Sequence, residues 1–219
     1  MRTPGIQELS PVAIEGHRPS RGGGPDHPMR EATRRAAGLH AGGWTDELRG
    51  HVEGFFDDLA AEWHTRGSPQ RTAVVMDALV RGLGPMDPPI GLAVEVGSGI
   101  GAYSHLLAER FATVLAVDLS RAMLQRAPIE PAHRVQADGA GLPVNAASAA
   151  AIVLINAFLF PAEVERVLSP DGVLVWVNSS GEYTPIYLSV DDLVAALPGK
   201  WVGRSSRAGE GHWCVLRRA

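Results

Sequence analysis

The chain has 219 residues, is 45% hydrophobic and carries a formal net charge of −4, with a sequence pI of about 6.1. That length buries one sizeable core, and the acidic balance argues against a nucleic-acid groove or a polybasic membrane anchor. The single cysteine, Cys214, excludes an intrachain disulfide and has no cysteine neighbour for a zinc site.

Residues 1–40 are rich in Pro, Gly, Arg and His, with "RPSRGGGPDHP" at 18–28, and show no lasting helical or alternating pattern, so a loose tail is expected. Residues 41–89 read as a helical segment. In "WTDELRGHVEGFFDDLAAEWHTRG", Leu48, Val52, Phe55, Phe56 and Leu59 recur at three- and four-residue steps. "PQRTAVVMDALVRGLG" is a second helix, opened by Pro69 and closed by Gly84, and "MDPP" at 86–89 ends it.

From residue 90 the rhythm changes to short β-rich runs alternating with helices. "LAVEVG" (92–97), "TVLAVD" (113–118), "HRVQAD" (133–138), "AIVLIN" (151–156) and "VLVWVN" (173–178) read as strands. Ser120 suits an N-cap for "SRAMLQRA", and Ser189 with Asp192 gives a capping-box-like start to "SVDDLVAAL". "KWVGRSS" and "HWCVLRR" are close enough to form an antiparallel hairpin, which places Cys214, Trp213 and Trp176 in strands as core residues. The expected fold is α/β: a Rossmann-like, doubly wound, mostly parallel seven-stranded sheet with a C-terminal antiparallel hairpin strand, preceded by the helical segment as a lid.

The chemistry concentrates in "AVEVGSGIGAYS" (93–104). A strand that runs into a glycine turn and then a helix is a cradle for a nucleotide cofactor. Dinucleotide sites favour G-x-G-x-x-G, whereas Gly97, Gly99 and Gly101 are spaced G-x-G-x-G, and Glu95 lies two residues ahead of the first. A carboxylate there repels a pyrophosphate and suits a ligand carrying an amino group.

At this point the sequence resembles the class I S-adenosylmethionine-dependent methyltransferases, over most of residues 50–219. "VEVGSGIG" matches their first motif, "LAVDLS" their second, "QADGAGLPV" the third, and "VLSPDGVLVWV" the turn into the fifth strand. The resemblance implies that Glu95 and the glycines, with Ser98, line the methionine end, and that Asp118 takes the ribose hydroxyls. It also implies that Leu119 and Met123 pack near the adenosine, Asp138 binds the adenine amino group and Gly139 sits against adenine. Asn156 would face the methionine end or the acceptor, and Trp63, His64 and Arg66 of the lid would close over the site.

The expected activity is methyl transfer from S-adenosyl-L-methionine to a small-molecule acceptor by direct displacement, leaving S-adenosyl-L-homocysteine, with His64 the one candidate general base for a hydroxyl acceptor. Two departures stand out: "SAAAIV" replaces the family's frequent Phe-Asp pair, and the loop after the fourth strand is short. They keep alive a non-catalytic cofactor-binding scaffold, and further back a nicotinamide-dependent oxidoreductase. No metal site is expected, since the histidines fall in no ligand-like cluster.

The longest apolar stretch, "AAIVLINAFLF", is too short to span a bilayer and stops at Pro161, and no apolar signal core opens the chain, so a cytoplasmic protein is expected. Lys200 is the only lysine, and with much Ala and Gly this fits the codon bias of a GC-rich bacterial genome. No nucleic-acid or membrane partner is expected, and a homodimer stays open.

Overall fold

The computed structural model describes residues 3–16, 24–85 and 91–219. One eight-stranded sheet organises the chain, in the order β1-β7-β8-β6-β5-β2-β3-β4. The strands are β1 (Ile6–Glu8), β2 (Leu92–Val96), β3 (Thr113–Asp118), β4 (His133–Gln136), β5 (Ala149–Ile155), β6 (Leu168–Asn178), β7 (Trp201–Ala208) and β8 (Gly211–Arg218). Strands β2 to β6 are parallel, while β8 runs antiparallel to both β6 and β7. From β2 the chain steps outward through β3 and β4, then returns to β5 on the other side and continues to β6. The strand order therefore reverses between β2 and β5, and a crevice opens above their carboxyl ends.

Alternation along the strands divides the core into two faces. Val94, Val96, Ile152, Leu154, Leu174 and Trp176 point to one side, beneath helices α6 (Pro161–Val167) and α7 (Val190–Ala196). Ala93, Ala151, Val153, Val175 and Trp213 point to the other, against α3 (Pro69–Asp77) and α4 (Ser104–Ala108). Cys214 and Trp176 are fully enclosed, as their strand pattern implies. Helix α3 is opened by Ser68, whose Oγ accepts the Arg71 N–H, and continues into a wide π turn over Ala78–Gly82. Gly82 is needed there because a Cβ would fall 2.5 Å from Val215 on β8. Ser120 caps the short α5 (Arg121–Leu124) and Ser189 caps α7, both through N–H groups three residues on.

Two expectations about the first 40 residues are corrected. In place of a loose tail, Ile6–Glu8 add an eighth strand, parallel to β7, and Val12 bridges to Ala208. Met29–Ala36 form helix α1, whose buried positions Met29, Ala32, Thr33 and Ala36 repeat at helical spacing. Three of those four are small, so the stripe approaches its neighbours closely without a large apolar signature. The Arg- and Gly-rich residues 17–23 and the "MDPP" segment lie outside the described residues. Helix α2 (Asp46–Leu59), capped by Thr45, packs with α1 against Phe158, Phe160 and Ile186 at the crevice. No helix among the described residues is long and apolar enough to cross a membrane.

Candidate cofactor and acceptor site

Strand β2 delivers Glu95 and then turns sharply. The N–H groups of Gly97 and Ser98 both bond to the Val117 carbonyl (2.8 and 3.1 Å), which pins the turn to the end of β3. Gly97, Gly99 and Gly101 all have positive φ (69°, 56° and 69°), and at Gly97 a Cβ would also lie 2.8 Å from that of Ala157. Asp118, ending β3, closes the arrangement: its carboxylate accepts the N–H of Gly99 at 2.7 Å and of Ser120 at 2.8 Å.

Glu95 is only 2% exposed, and its Oε2 accepts the Ser104 hydroxyl at 2.5 Å, which buckles β2 to the start of α4. Burial pushes its carboxyl up to about 7, against the Ser104 bond, with the neighbouring Asp118 charge adding to the rise. Asp118 is itself pushed up to about 6, again chiefly by burial, with the Gly99 and Ser120 N–H groups opposing. Two carboxylates that resist ionising beside one crevice are an unmet demand for positive charge. Ser98 adds a second unmet need: its Oγ is buried with no hydrogen-bond partner among the described residues.

The crevice is a cleft of about 1240 Å³, measured out to its open mouth. It is bordered by Glu95, Gly97, Ser98, Gly99, Asp118, Leu119, Met123, Asp138, Gly139, Asn156 and His64, so the structure brings these eleven predicted positions together. Gly101 is the exception. The turn carries it to the far side, where a Cβ would meet Ala127 and Pro128. Gly139 is needed for close packing, since a Cβ there would lie 2.6 Å from the Phe160 ring and 2.9 Å from Val96.

Residues 94–176 match the family model described as "Methyltransferase domain". That segment is similar to a methyltransferase domain, and the strand order around it is that of a Rossmann-like sheet. No curated protein sequence matches the chain. Among solved structures, the DhpI–SAH complex is 17% identical with a TM-score of 0.62, covering 80% of this chain and 99% of that one. Haemonchus contortus phosphoethanolamine N-methyltransferase 1, solved with phosphoethanolamine and S-adenosylhomocysteine, is 17% identical with a TM-score of 0.52, over 68% of this chain and 37% of that one. The chain spans little more than half of some other matches: 59% of a chain from a Haloferax volcanii Trm112 complex (22% identity, TM-score 0.47) and 51% of Bacillus subtilis YcgJ (18%, 0.43). Identities this low establish a shared fold.

Several polar groups of the cleft are already engaged. The Asn156 side chain borders the cleft, but its Nδ2 donates to Ser179 Oγ (2.9 Å) and its Oδ1 accepts the Ser179 N–H (2.8 Å). Its backbone is left-handed, with φ of 53°. Asp138 accepts the Trp44 indole N–H, and the Arg49 guanidinium stands 3.9 Å away. His64 sits exposed on a short 3-10 turn (Trp63–Arg66) at the cleft mouth. No cluster of three potential metal ligands occurs among the described residues.

The cover of the cleft comes largely from the helical segment expected as a lid, with Trp63, His64 and Arg66 among its lining residues. Trp44, Val52, Phe56, Trp63 and Arg71 come from the helical segment, and Phe158 and Phe160 from the short loop after β5. Trp63 lies directly over the glycine turn, its Nε1 3.5 Å from where a Gly99 Cβ would be. The loop after β5 needs no insertion, because the N-terminal helices supply the facing wall. Trp44, Phe158 and Phe160 were not singled out in the sequence, although the aromatic pair in "AFLF" could have marked a surface needing cover.

Proposed function

We propose that the chain is an S-adenosylmethionine-dependent methyltransferase acting on a small-molecule acceptor. The observation that carries this is the pair of buried carboxylates, Glu95 and Asp118, held on either side of the glycine turn at the strand-order reversal, beside the unpartnered Ser98 hydroxyl. The residues present fit the cofactor. Glu95 would take the methionine ammonium, while Ser98 Oγ and the Arg71 guanidinium would take its carboxylate. Asp118 would take the ribose hydroxyls, Leu119 and Met123 would bracket the adenosine, and Gly139 would sit against adenine.

When bound, S-adenosylmethionine supplies a methyl group already activated by its sulfonium. The chain's task is then to align the acceptor and exclude water. Trp63, Phe56 and Phe158 form an apolar cover that does the second. His64, at the mouth, is the residue placed to accept a proton from a hydroxyl acceptor; a thiolate or an amine needs no such help. The absence of a long apolar helix among the described residues and the net charge of −4 support a small, non-membrane, non-nucleic-acid acceptor and a cytoplasmic setting.

Calorimetric titration with S-adenosylhomocysteine, with NADH as control, tests the reading. Micromolar binding of the first ligand alone, lost in Glu95→Ala and Asp118→Ala, is expected. No binding by a folded protein would overturn it. Binding without turnover on a broad acceptor panel would favour the scaffold reading.

A further inference from the structure

The adenine end of the cleft contains a feature that the cofactor reading leaves unexplained. The Trp44 indole N–H lies 3.1 Å from one Asp138 oxygen and 3.0 Å from the other, so it sits in the fork of the carboxylate. Oδ1 also accepts the Ala140 N–H at 2.8 Å, and Arg49 Nε stands 3.9 Å from Oδ2. The indole ring is seated against Phe158 and Phe160, with centroids 5.4 and 5.1 Å apart. An exocyclic adenine amine approaching Asp138 in the carboxylate plane meets the same fork. Indole is a donor only and cannot bridge to that amine.

We propose that Trp44 is a built-in competitor in the adenine subsite, its N–H holding the Asp138 carboxylate until the cofactor's exocyclic amine displaces it. The inference rests on the cofactor reading above. The backbone before Trp44 turns through two glycines, Gly42 and Gly43, both in the left-handed region (φ 93° and 57°). Helix α2 is anchored independently. Its Glu53 accepts from Gln136, and its Asp57 accepts from the Ser120 hydroxyl and the Ala122 N–H. Release of Trp44 therefore leaves α2 docked and frees the indole to repack over Phe158 and Phe160.

The test is calorimetry on the full chain with S-adenosylhomocysteine, using wild type, Trp44→Phe, Asp138→Asn and the double variant. Phenylalanine keeps a ring against Phe158 and Phe160 and removes only the N–H. A bond from a neutral donor to a carboxylate sets a ceiling of about a hundredfold, and about tenfold tighter binding by Trp44→Phe is expected. That advantage disappears in the Asp138→Asn background. In wild type, the indole ¹⁵N–H resonance that Trp44→Phe removes should shift on adding ligand. Unchanged or weaker binding by Trp44→Phe, or an unmoved resonance in the bound state, overturns the proposal while leaving the cofactor reading intact. Failure of folded wild type and variant alike to bind S-adenosylhomocysteine overturns both.

Discussion

Replacing Glu95 with glutamine should make the ligand-free protein more stable and a poorer binder. The unfolded chain gives up the Glu95 proton near 4.5, while burial holds it in the folded protein up to about 7. Between those values the native state binds more protons than the unfolded one, so stability falls as pH rises, and above about 7 the full deficit is present. The 2.5-unit difference corresponds to about 3 kcal/mol at most. Glutamine has the same shape, can still accept the Ser104 hydroxyl, and does not titrate. Thermal melts of the ligand-free protein at pH 5 and pH 8 read the difference directly. At pH 8 the variant should melt higher, by up to about 6–12 °C for a chain of this size, and at pH 5 the gap should be small. Its affinity for S-adenosylhomocysteine should fall at the same time, because the carboxylate that burdens the empty fold is the one that receives the ammonium. An equal gap at both pH values, or a variant that melts lower at pH 8, would refute the assignment of Glu95 as a strained, ligand-seeking acid.

Two further outcomes follow from the geometry. His64→Gln should lower turnover by about a hundredfold with a hydroxyl acceptor while leaving S-adenosylhomocysteine affinity within twofold, since His64 sits on the cover and not in the glycine turn; full activity removes its role as base. Asn156→Ala should destabilise by about 3 kcal/mol in urea unfolding, through loss of two bonds to buried Ser179 and a strained left-handed alanine, and Asn156→Gly by about 1 kcal/mol less; equal costs would show that the backbone is not strained there.

What the sequence made legible is what lies close along the chain. Glu95 two residues before a glycine turn, and Asp118 at the end of the next strand, declare themselves because strand, turn and helix are consecutive and the acid has no other reason to be buried. The three alternate glycines look equivalent in the sequence, yet the turn's curvature sends Gly101 to the opposite side. Helix α1 was hidden because Ala32, Thr33 and Ala36 bury themselves by close approach and not by bulk. Strand β1 was hidden because an exposed three-residue edge strand carries no alternation. Asn156 was legible as a strand-end amide, but its partner Ser179 lies at the end of the neighbouring strand, 23 positions on.

Trp44 and Asp138 are 94 positions apart, and the physical reason they meet lies in α2. Leu48, Val52 and Phe56 form one stripe of that helix, which covers the aromatic surface left by the short loop after β5. Arg49, Glu53 and Asp57, displaced by one residue, form an adjoining stripe that grips Asp138, Gln136 and Ser120 at the ends of β3 and β4. The apolar stripe alone would let the helix slide along Phe158 and Phe160, whereas the polar stripe fixes its register against particular atoms. One helix therefore walls the cleft with its apolar stripe and grips the ends of β3 and β4 with its polar one. A chain with a short loop after β5 walls its cleft by laying this helix along it, and Trp44 follows from that placement, directly ahead of the helix cap and over Asp138.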